Sequence, residues 1–467
     1  MVSNESMRRI RWTDLPEDPA MLSGWQLPSL VLATLFFNFF FWYVPATTFP
    51  FIGSPILYLA SLGTVIALVA VFFFLCPALA AHRTRKSLFQ LAEASFGVVP
   101  AIGFRIGCVM LCMLWLAGTT GVLFNNVLRF VLQRSLTLVE VSLFLGLPVV
   151  FLFVTGLQNL RTSAKLAFFT NKLGAALLIA AALRVRPYLP DAWSDLGNTL
   201  PGSDIWTRIA EPLMVICPLA LLAANFGTRT RSRKDVTFIG LFGLAIPMAA
   251  TLFAVSLIQR AAYHWRSDLG GLANIALALW GGDSGHYQFQ WIALAMVTLF
   301  GIARFCTRMW RAAVAPIMGS LRLRLAVLAA TLILVVALST SESMIITRGV
   351  EIAARVTGSI AAVLTADFIL TRWRFARARR VDWLSLVSVG VGLIAGGPLT
   401  FWEGADYQYH LTASILLPYA ASFVSRVIGL LVLLRVERRA SVNTSKPAIN
   451  DHFKTGQRSR TQDMKLF

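Results

Sequence analysis

An aromatic side chain and two hydroxyl groups lie about one helical turn apart within the apolar stretch 98–126. Trp115 is near the middle of this stretch, and Thr119 and Thr120 follow it. Residues three or four positions apart share a helix face. Trp115 and Thr119 could therefore present a stacking surface and a hydrogen-bonding group to a flat solute. The alternative is that Trp115 packs against neighbouring helices or against lipid.

Other polar side chains also fall within long apolar stretches. Asn38 lies among aromatic residues in the first stretch, and Asn225 ends the sixth. A polar group at such a position is costly unless it faces a helix bundle, where it can bond another helix or line a site. Lys172 and Arg304 are internal cations. Each could pair or snorkel, or could serve as a fixed charge for ion coupling.

The composition requires a bilayer around these residues. The chain has 467 residues, of which 57% are hydrophobic and only 14% are charged, and its mean hydropathy is +0.69. Soluble domains are about 45–50% apolar and about 25% charged. Apolar stretches of roughly 20 residues, enough to cross the bilayer, recur along the chain. We therefore predict an all-α, polytopic membrane protein.

Twelve transmembrane spans are predicted. They are 26–49, 54–80, 98–126, 137–157, 163–183, 207–226, 237–259, 289–307, 325–341, 346–370, 383–402 and 411–434. They form one transporter domain at 26–439, in which repeat one covers 26–183, repeat two covers 207–370, and two further helices cover 383–434. Residues 1–25 are a short polar arm, and residues 440–467 are a polar tail that we expect to be disordered. Residues 82–93 resemble a short amphipathic helix at the inner surface.

The net charge of +20 follows from topology. Runs of Lys and Arg occur on one side of the predicted spans, whereas the other side carries isolated arginines. The basic excess marks the cytoplasmic face, so both termini should be cytoplasmic in a protein of the cell (inner) membrane. We expect the bilayer, rather than nucleic acid, to be the partner of this charge.

The sequence does not favour catalysis. The five cysteines fall inside spans without ligand spacing, and the five histidines are scattered. No phosphate-binding loop, nucleophile elbow or dinucleotide fingerprint is present. We expect no cofactor and no metal site, and a membrane enzyme would need acidic or histidine clusters that this chain lacks.

Three ordered motifs resemble the purine–cytosine permeases of the nucleobase:cation symporter-1 family. The first is AEASFG followed by Arg105 and Trp115, and the second is PLALLAANFGTRTR at the end of span six. The third is TADFILTRWRFARARRVDWLSL at the end of span ten. The resemblance covers spans one to eleven in order. It implies the LeuT-type architecture of two inverted five-helix repeats plus two C-terminal helices, with spans one and six interrupted around a central site.

The resemblance also implies site residues by position. Trp115 would stack on a planar substrate, and Thr119 would replace a side-chain amide that binds it. Ile216 or Cys217 occupies a second stacking position where an aromatic is expected, and Thr307 replaces another amide. Gly301 and Ile302 fall where sodium-binding hydroxyls would lie. We also include Asn38 among the substrate-binding candidates, because of its mid-span position.

These differences from the family pattern change the expected coupling ion and substrate. A buried cation, Arg304 or Lys172, could stand in for sodium, so we predict proton-coupled or uncoupled transport rather than sodium symport. The expected cargo is a small planar heterocycle such as a nucleobase, hydantoin or allantoin. The alternatives are transport of amino acids or other small solutes, or a sensor or scaffold role without transport.

Overall fold

The computed structural model describes most, but not all, of the chain. The described residues are 24–37, 55–122, isolated positions between 137 and 146, 160–195, 202–265, 303–314 apart from 311, 321–340, 343–371, 380–396 and 410–444. These residues are almost entirely helical and contain no strand. The prediction of an all-α protein is therefore confirmed for this part of the chain.

Fourteen α-helices are defined, and we number them in chain order. They are α1 (Gln26–Ala33), α2 (Pro55–Leu68), α3 (Cys76–Thr84), α4 (Leu88–Phe96), α5 (Val98–Val122), α6 (Leu160–Arg184), α7 (Leu189–Asp195), α8 (Gly202–Ala223), α9 (Arg233–Ile239), α10 (Ile246–Trp265), α11 (Leu321–Thr340), α12 (Ser343–Thr371), α13 (Trp383–Ala395) and α14 (His410–Thr444). Residues 303–310 are also helical. Two π-helical segments, Val69–Leu75 and Gly240–Ala245, join α2 to α3 and α9 to α10.

Six helices of the described chain are long and apolar enough to cross a membrane, and three shorter apolar helices accompany them. These nine helices coincide with nine of the twelve predicted spans. The other three predictions, 26–49, 137–157 and 289–307, fall wholly or partly outside the described residues, so the total of twelve stays a prediction. One boundary differs, because α14 continues to Thr444 and enters the predicted tail.

The spans pack into one continuous network of helix contacts. Helix α1 packs against the segment Gly240–Ala245, and α8 packs against Val69–Leu75 and α2. The two π-helical segments also contact each other. Close approach of α1 depends on Gly243, because a Cβ at this position would lie 3.0 Å from the Ser29 Cα. Helix α5 packs along α11, and α12 contacts both α5 and α8, which links these contacts to the others.

The Ala-Ser-Phe-Gly turn joins α4 to α5 at a sharp corner. Gly97 has φ 94° and ψ 170°, a backbone conformation that side chains strongly disfavour. The turn is also bonded to the segment that precedes α13. The Asp382 amide donates to the Phe96 carbonyl at 2.8 Å, and the Val99 amide donates to the Arg380 carbonyl at 3.2 Å. The first and third sequence motifs are therefore in direct contact.

A second junction joins α3 to the 3₁₀ turn Ala224–Arg229 that follows α8. Gly227 allows the contact, because a Cβ there would overlap the Ala78 carbonyl oxygen. Arg85 ends α3 with φ 56°, and its Nη1 donates to the carbonyls of Thr228 and Thr230 at 3.0 and 2.6 Å. These bonds offset the cost of a left-handed, non-glycine residue.

The predicted short amphipathic helix is present as α4, although it begins later than expected. Ser87 and Gln90 form a capping box at its start, which is a strong helix initiation signal. Most of its residues are buried: Leu88, Phe89, Leu91, Ala92, Ser95 and Phe96. One side of the helix is therefore packed against the rest of the protein.

Candidate functional site

The candidate site is built on the core-facing side of α5. Trp115 is completely buried, and the Cys108 and Cys112 side chains are buried on the preceding two turns. Helical periodicity explains this arrangement, because residues 108, 112 and 115 recur at the spacing of a single face. Ile102, Ile106 and Met110 are exposed on the opposite side of the helix. A lipid-facing Trp115 is therefore excluded, whereas a substrate contact and packing against neighbouring helices both stay possible interpretations.

The helical stretch 303–310 lies against this face of α5. The side chains of Cys306 and Cys112 are both buried and lie close together. Two turns earlier on α5, Arg105 Nη1 donates to the Ala312 carbonyl at 3.4 Å. The chain order of these two contacts indicates that this stretch runs antiparallel to α5.

Two predicted site residues lie on this stretch. Thr307 is 8% exposed, and its hydroxyl donates to the Ala303 carbonyl at 2.6 Å. Such a bond to the preceding turn uses the hydroxyl proton but leaves its lone pairs able to accept. Arg304 is 6% exposed. The stretch therefore brings a hydroxyl acceptor and a buried guanidinium to the core.

Helix α8 contributes Ile216 and Cys217, which are both fully buried in the hydrophobic core that also contains Trp115. The expected interruption of this span is wrong for the described chain. The α-helix is continuous through Pro218 to Ala223 and only then tightens into a 3₁₀ turn. Proline is tolerated within membrane helices where neighbouring groups satisfy the freed carbonyls.

The resemblance implies an interruption in span one, and the described part of this span agrees with it. The α-helix ends at Ala33, and the chain turns through residues 34–37. Asn38, Gly301 and Ile302 lie outside the described residues. Thr119 belongs to α5, but its side chain also lies outside the description. The roles of these four residues stay predictions.

Lys172 is separate from the core. Its side chain is exposed on α6, and its Nζ lies 4.2 Å from the centre of the Phe168 ring. A cation over an aromatic face is stabilised by the ring quadrupole. Trp115, Ile216, Cys217, Thr307 and Arg304 are therefore all buried, whereas Lys172 is exposed on α6.

The structure adds a buried ion cluster that the sequence did not predict. Arg426 on α14 bonds Asp367 on α12 and Asp382 at the start of α13. Ser385 also donates to the Asp382 Oδ2 at 2.9 Å. The only sequence signal was that Arg426 and Asp367 are charged residues within apolar spans. Their pairing was not visible, because the sequence does not say which helices adjoin.

Asn225 also has a different setting from the one expected of a site residue. Its Oδ1 accepts a hydrogen bond of 3.2 Å from the Leu88 amide, at the start of α4. The first four amides of a helix lack partners within the helix. Asn225 therefore satisfies a helix end at the junction of α3, α4 and α8, where it supports the fold.

The fold and the buried core define a multi-pass membrane protein of the LeuT-type architecture. No protein-family model and no curated protein match the sequence. Solved structures do match. One is Mhp1, a nucleobase-cation-symport-1 family transporter, in a closed conformation with bromovinylhydantoin bound, at 12% identity, covering 89% of this chain and 94% of that chain, with a TM-score of 0.64.

Two further structures agree with this result. The inward-facing conformation of Mhp1 has 13% identity, covers 90% of this chain and 92% of that chain, and gives a TM-score of 0.62. A substrate-bound, outward-open Na⁺-coupled sialic acid symporter has 13% identity, covers 87% of this chain and 88% of that chain, and gives a TM-score of 0.60. At these identities the likeness establishes the fold. It agrees with the architecture that the three sequence motifs predicted.

Proposed function

We propose that this protein is a secondary transporter that moves a small planar heterocycle, such as a nucleobase, hydantoin or allantoin, by alternating access. The complete burial of Trp115 on α5, within a fold shared with transporters, is the observation that carries this proposal. An indole ring in a protein interior offers an apolar stacking face for a flat ring. In the LeuT-type architecture, alternating access occurs when one set of helices rocks against the other.

The residues around Trp115 would define specificity. Thr119 lies one turn beyond it and would supply a hydroxyl, and Asn38 would approach from span one. Ile216 or Cys217 would close the pocket with an apolar surface, and Thr307 would accept a hydrogen bond from a ring N–H. One aromatic platform with few polar contacts favours a compact ring over a large polar solute.

The coupling proposal rests on Arg304. Arg304 is buried, and in the sequence it follows Gly301 and Ile302, the positions where the family pattern expects sodium-binding hydroxyls. A fixed cation there would repel sodium and would supply the positive charge that bound sodium otherwise provides. We therefore propose proton-coupled or uncoupled transport. Lys172, exposed on α6, is the weaker candidate for this role.

Binding is tested by a thermal-shift screen of purified protein with nucleobases, hydantoins, allantoin, amino acids and sialic acid. A heterocycle should raise the melting temperature of the wild type and of Trp310→Phe, which alters another buried indole on 303–310. Trp115→Phe should retain part of the shift, and Trp115→Ala should abolish it. A shift that survives in Trp115→Ala would refute the stacking role.

Transport and coupling are tested in proteoliposomes with the heterocycle that binds. Uptake should proceed without sodium and should either follow an imposed proton gradient or depend on the solute gradient alone. Arg304→Ser should lose sodium-independent uptake, whereas Lys172→Ser should retain it. A strict sodium requirement in the wild type would overturn the coupling proposal. Binding without any uptake would instead support a sensor or scaffold.

A further inference from the structure

A cavity of about 410 Å³ is lined by α5, α8, α12 and α13. Its lining is almost entirely apolar and includes Cys108, on the α5 face that carries Trp115, but not Trp115 itself. Gly103 and Gly107 form much of its α5 wall, and a Cβ at either position would meet nothing within 4 Å. The two glycines therefore face open space rather than a neighbouring helix.

The cavity opens sideways along α5. Met110 belongs to the lining and is 46% exposed, and Ile106 beside it is 56% exposed. In a membrane protein, exposed apolar side chains along a span contact lipid. The opposite end of the cavity is closed, because a Cβ on Gly349 would lie only 2.9 Å from a Leu114 methyl carbon. The cavity is thus a groove with a lateral opening and one closed end.

The other end of the groove carries a positive charge. Pro100 belongs to the lining, and its neighbour Val99 donates its amide to the Arg380 carbonyl at 3.2 Å. The Arg380 side chain is exposed, and Trp383 three residues later is 71% exposed. Exposed tryptophan is typical of the headgroup region of a bilayer. Leu386 and Val389 of α13 continue the groove lining from this end.

We infer that this groove is a binding site for one acyl chain of an anionic phospholipid, with its headgroup at Arg380 and Trp383. An apolar, laterally open groove that begins at an exposed cation matches a molecule with an anionic head and an apolar tail. The headgroup charge would provide selectivity, because bilayer lipid tails are all equally apolar. The bound chain would fill the space between the start of α5 and α13. This inference does not depend on the identity of the transported solute.

The test uses detergent-purified full-length protein mixed with photoactivatable phospholipids that carry a diazirine near the middle of one acyl chain. Phosphatidylglycerol and phosphatidylcholine versions are compared, and the labelled peptides are identified by mass spectrometry. The phosphatidylglycerol probe should label peptides from 103–110 and 386–389 at least threefold more than the phosphatidylcholine probe. Gly107→Trp should reduce this labelling at least fivefold, and Ile106→Trp, directed to the bilayer, should not.

The headgroup contact is tested separately. Arg380→Gln should bring phosphatidylglycerol labelling down to the phosphatidylcholine level, whereas Arg435→Gln, at another exposed arginine near the end of a span, should leave the preference intact. Gly103→Leu serves as the second filling variant if Gly107→Trp does not fold. If the phosphatidylglycerol probe labelled the filling variants and the wild type equally, the inference would be overturned. Equal labelling by the two headgroups in the wild type, or displacement of the probe by a transported heterocycle, would also overturn it.

Discussion

Arg426 Nε on α14 donates a 2.8 Å hydrogen bond to Asp367 Oδ1 on α12, and the two side chains are only 1% and 0% exposed. A second nitrogen, Nη2, reaches Asp367 Oδ2 at 3.3 Å and Asp382 Oδ2 at 3.0 Å. One guanidinium thus joins α12, α13 and α14. Since α13 and α14 follow the two predicted repeats, this cluster attaches them to the last helix of the second repeat.

Arg426→Met should destabilise the protein strongly. Removing one member of a buried ion pair leaves an uncompensated charge and costs about 3–5 kcal/mol. The free energy of unfolding, measured by SDS titration in mild detergent, should fall by this amount. The double variant Arg426→Met, Asp367→Leu should recover part of the loss. Arg435→Met, at an exposed position on the same helix, should change stability by less than about 0.5 kcal/mol.

Gly97→Ala should destabilise the corner between α4 and α5. Its φ of 94° is available to glycine without strain, and a side chain there costs about 1–3 kcal/mol. Gly63→Ala is the matched control, because Gly63 is helical and a Cβ there meets nothing within 4 Å. That control should be neutral or stabilising. Equal melting temperatures for the two variants would contradict the strained geometry.

Asn225→Ala should weaken the junction at the start of α4. The Leu88 amide would lose its acceptor, and an unsatisfied buried donor costs about 1–3 kcal/mol. Asn225→Asp keeps an oxygen acceptor at a helix N-terminus, where negative charge is favourable, so it should retain most of the stability. Ligand affinity should be unchanged in Asn225→Asp. A large loss of affinity without loss of stability would instead make Asn225 a substrate contact.

Gly243→Val should displace α1. A Cβ at Gly243 already lies 3.0 Å from the Ser29 Cα and 3.4 Å from the Leu32 Cβ, and overpacking of this kind costs about 1–3 kcal/mol. In a cysteine-free background, Ser29→Cys should react slowly with maleimide, because Ser29 is buried. Adding Gly243→Val should raise that rate. Gly390→Val, where a Cβ meets nothing within 4 Å, should leave it unchanged.

The sequence predicted the helices well because each span is a long, mostly apolar stretch with charged or polar ends. Span length and the basic runs are local signals, and nine helices match them. The burial of Trp115 was open at that stage, since a tryptophan in a span can face lipid or protein. The structure decided it, because Trp115 is fully buried.

Relationships between distant residues could not be predicted. Arg426 and Asp367 are 59 residues apart, and nothing local links them. The Asn225 amide was interpreted as a possible site group because its partner, the Leu88 amide, belongs to another helix. The resemblance implied an interrupted span six, but α8 is continuous through Pro218 to Ala223. Lys172 became the weaker coupling candidate because it is exposed on α6.

The hydrogen bonds on both sides of Gly97 restrict motion at the turn between α4 and α5. A glycine between two helices would ordinarily be the first place to look for a hinge. Here the residues on both sides are bonded, since the Phe96 carbonyl accepts from Asp382 and the Val99 amide donates to Arg380. Rotation at Gly97 would break both hydrogen bonds together, so the turn between α4 and α5 is rigid. Helices α4 and α5 and the segment before α13 should therefore move together as one rigid unit.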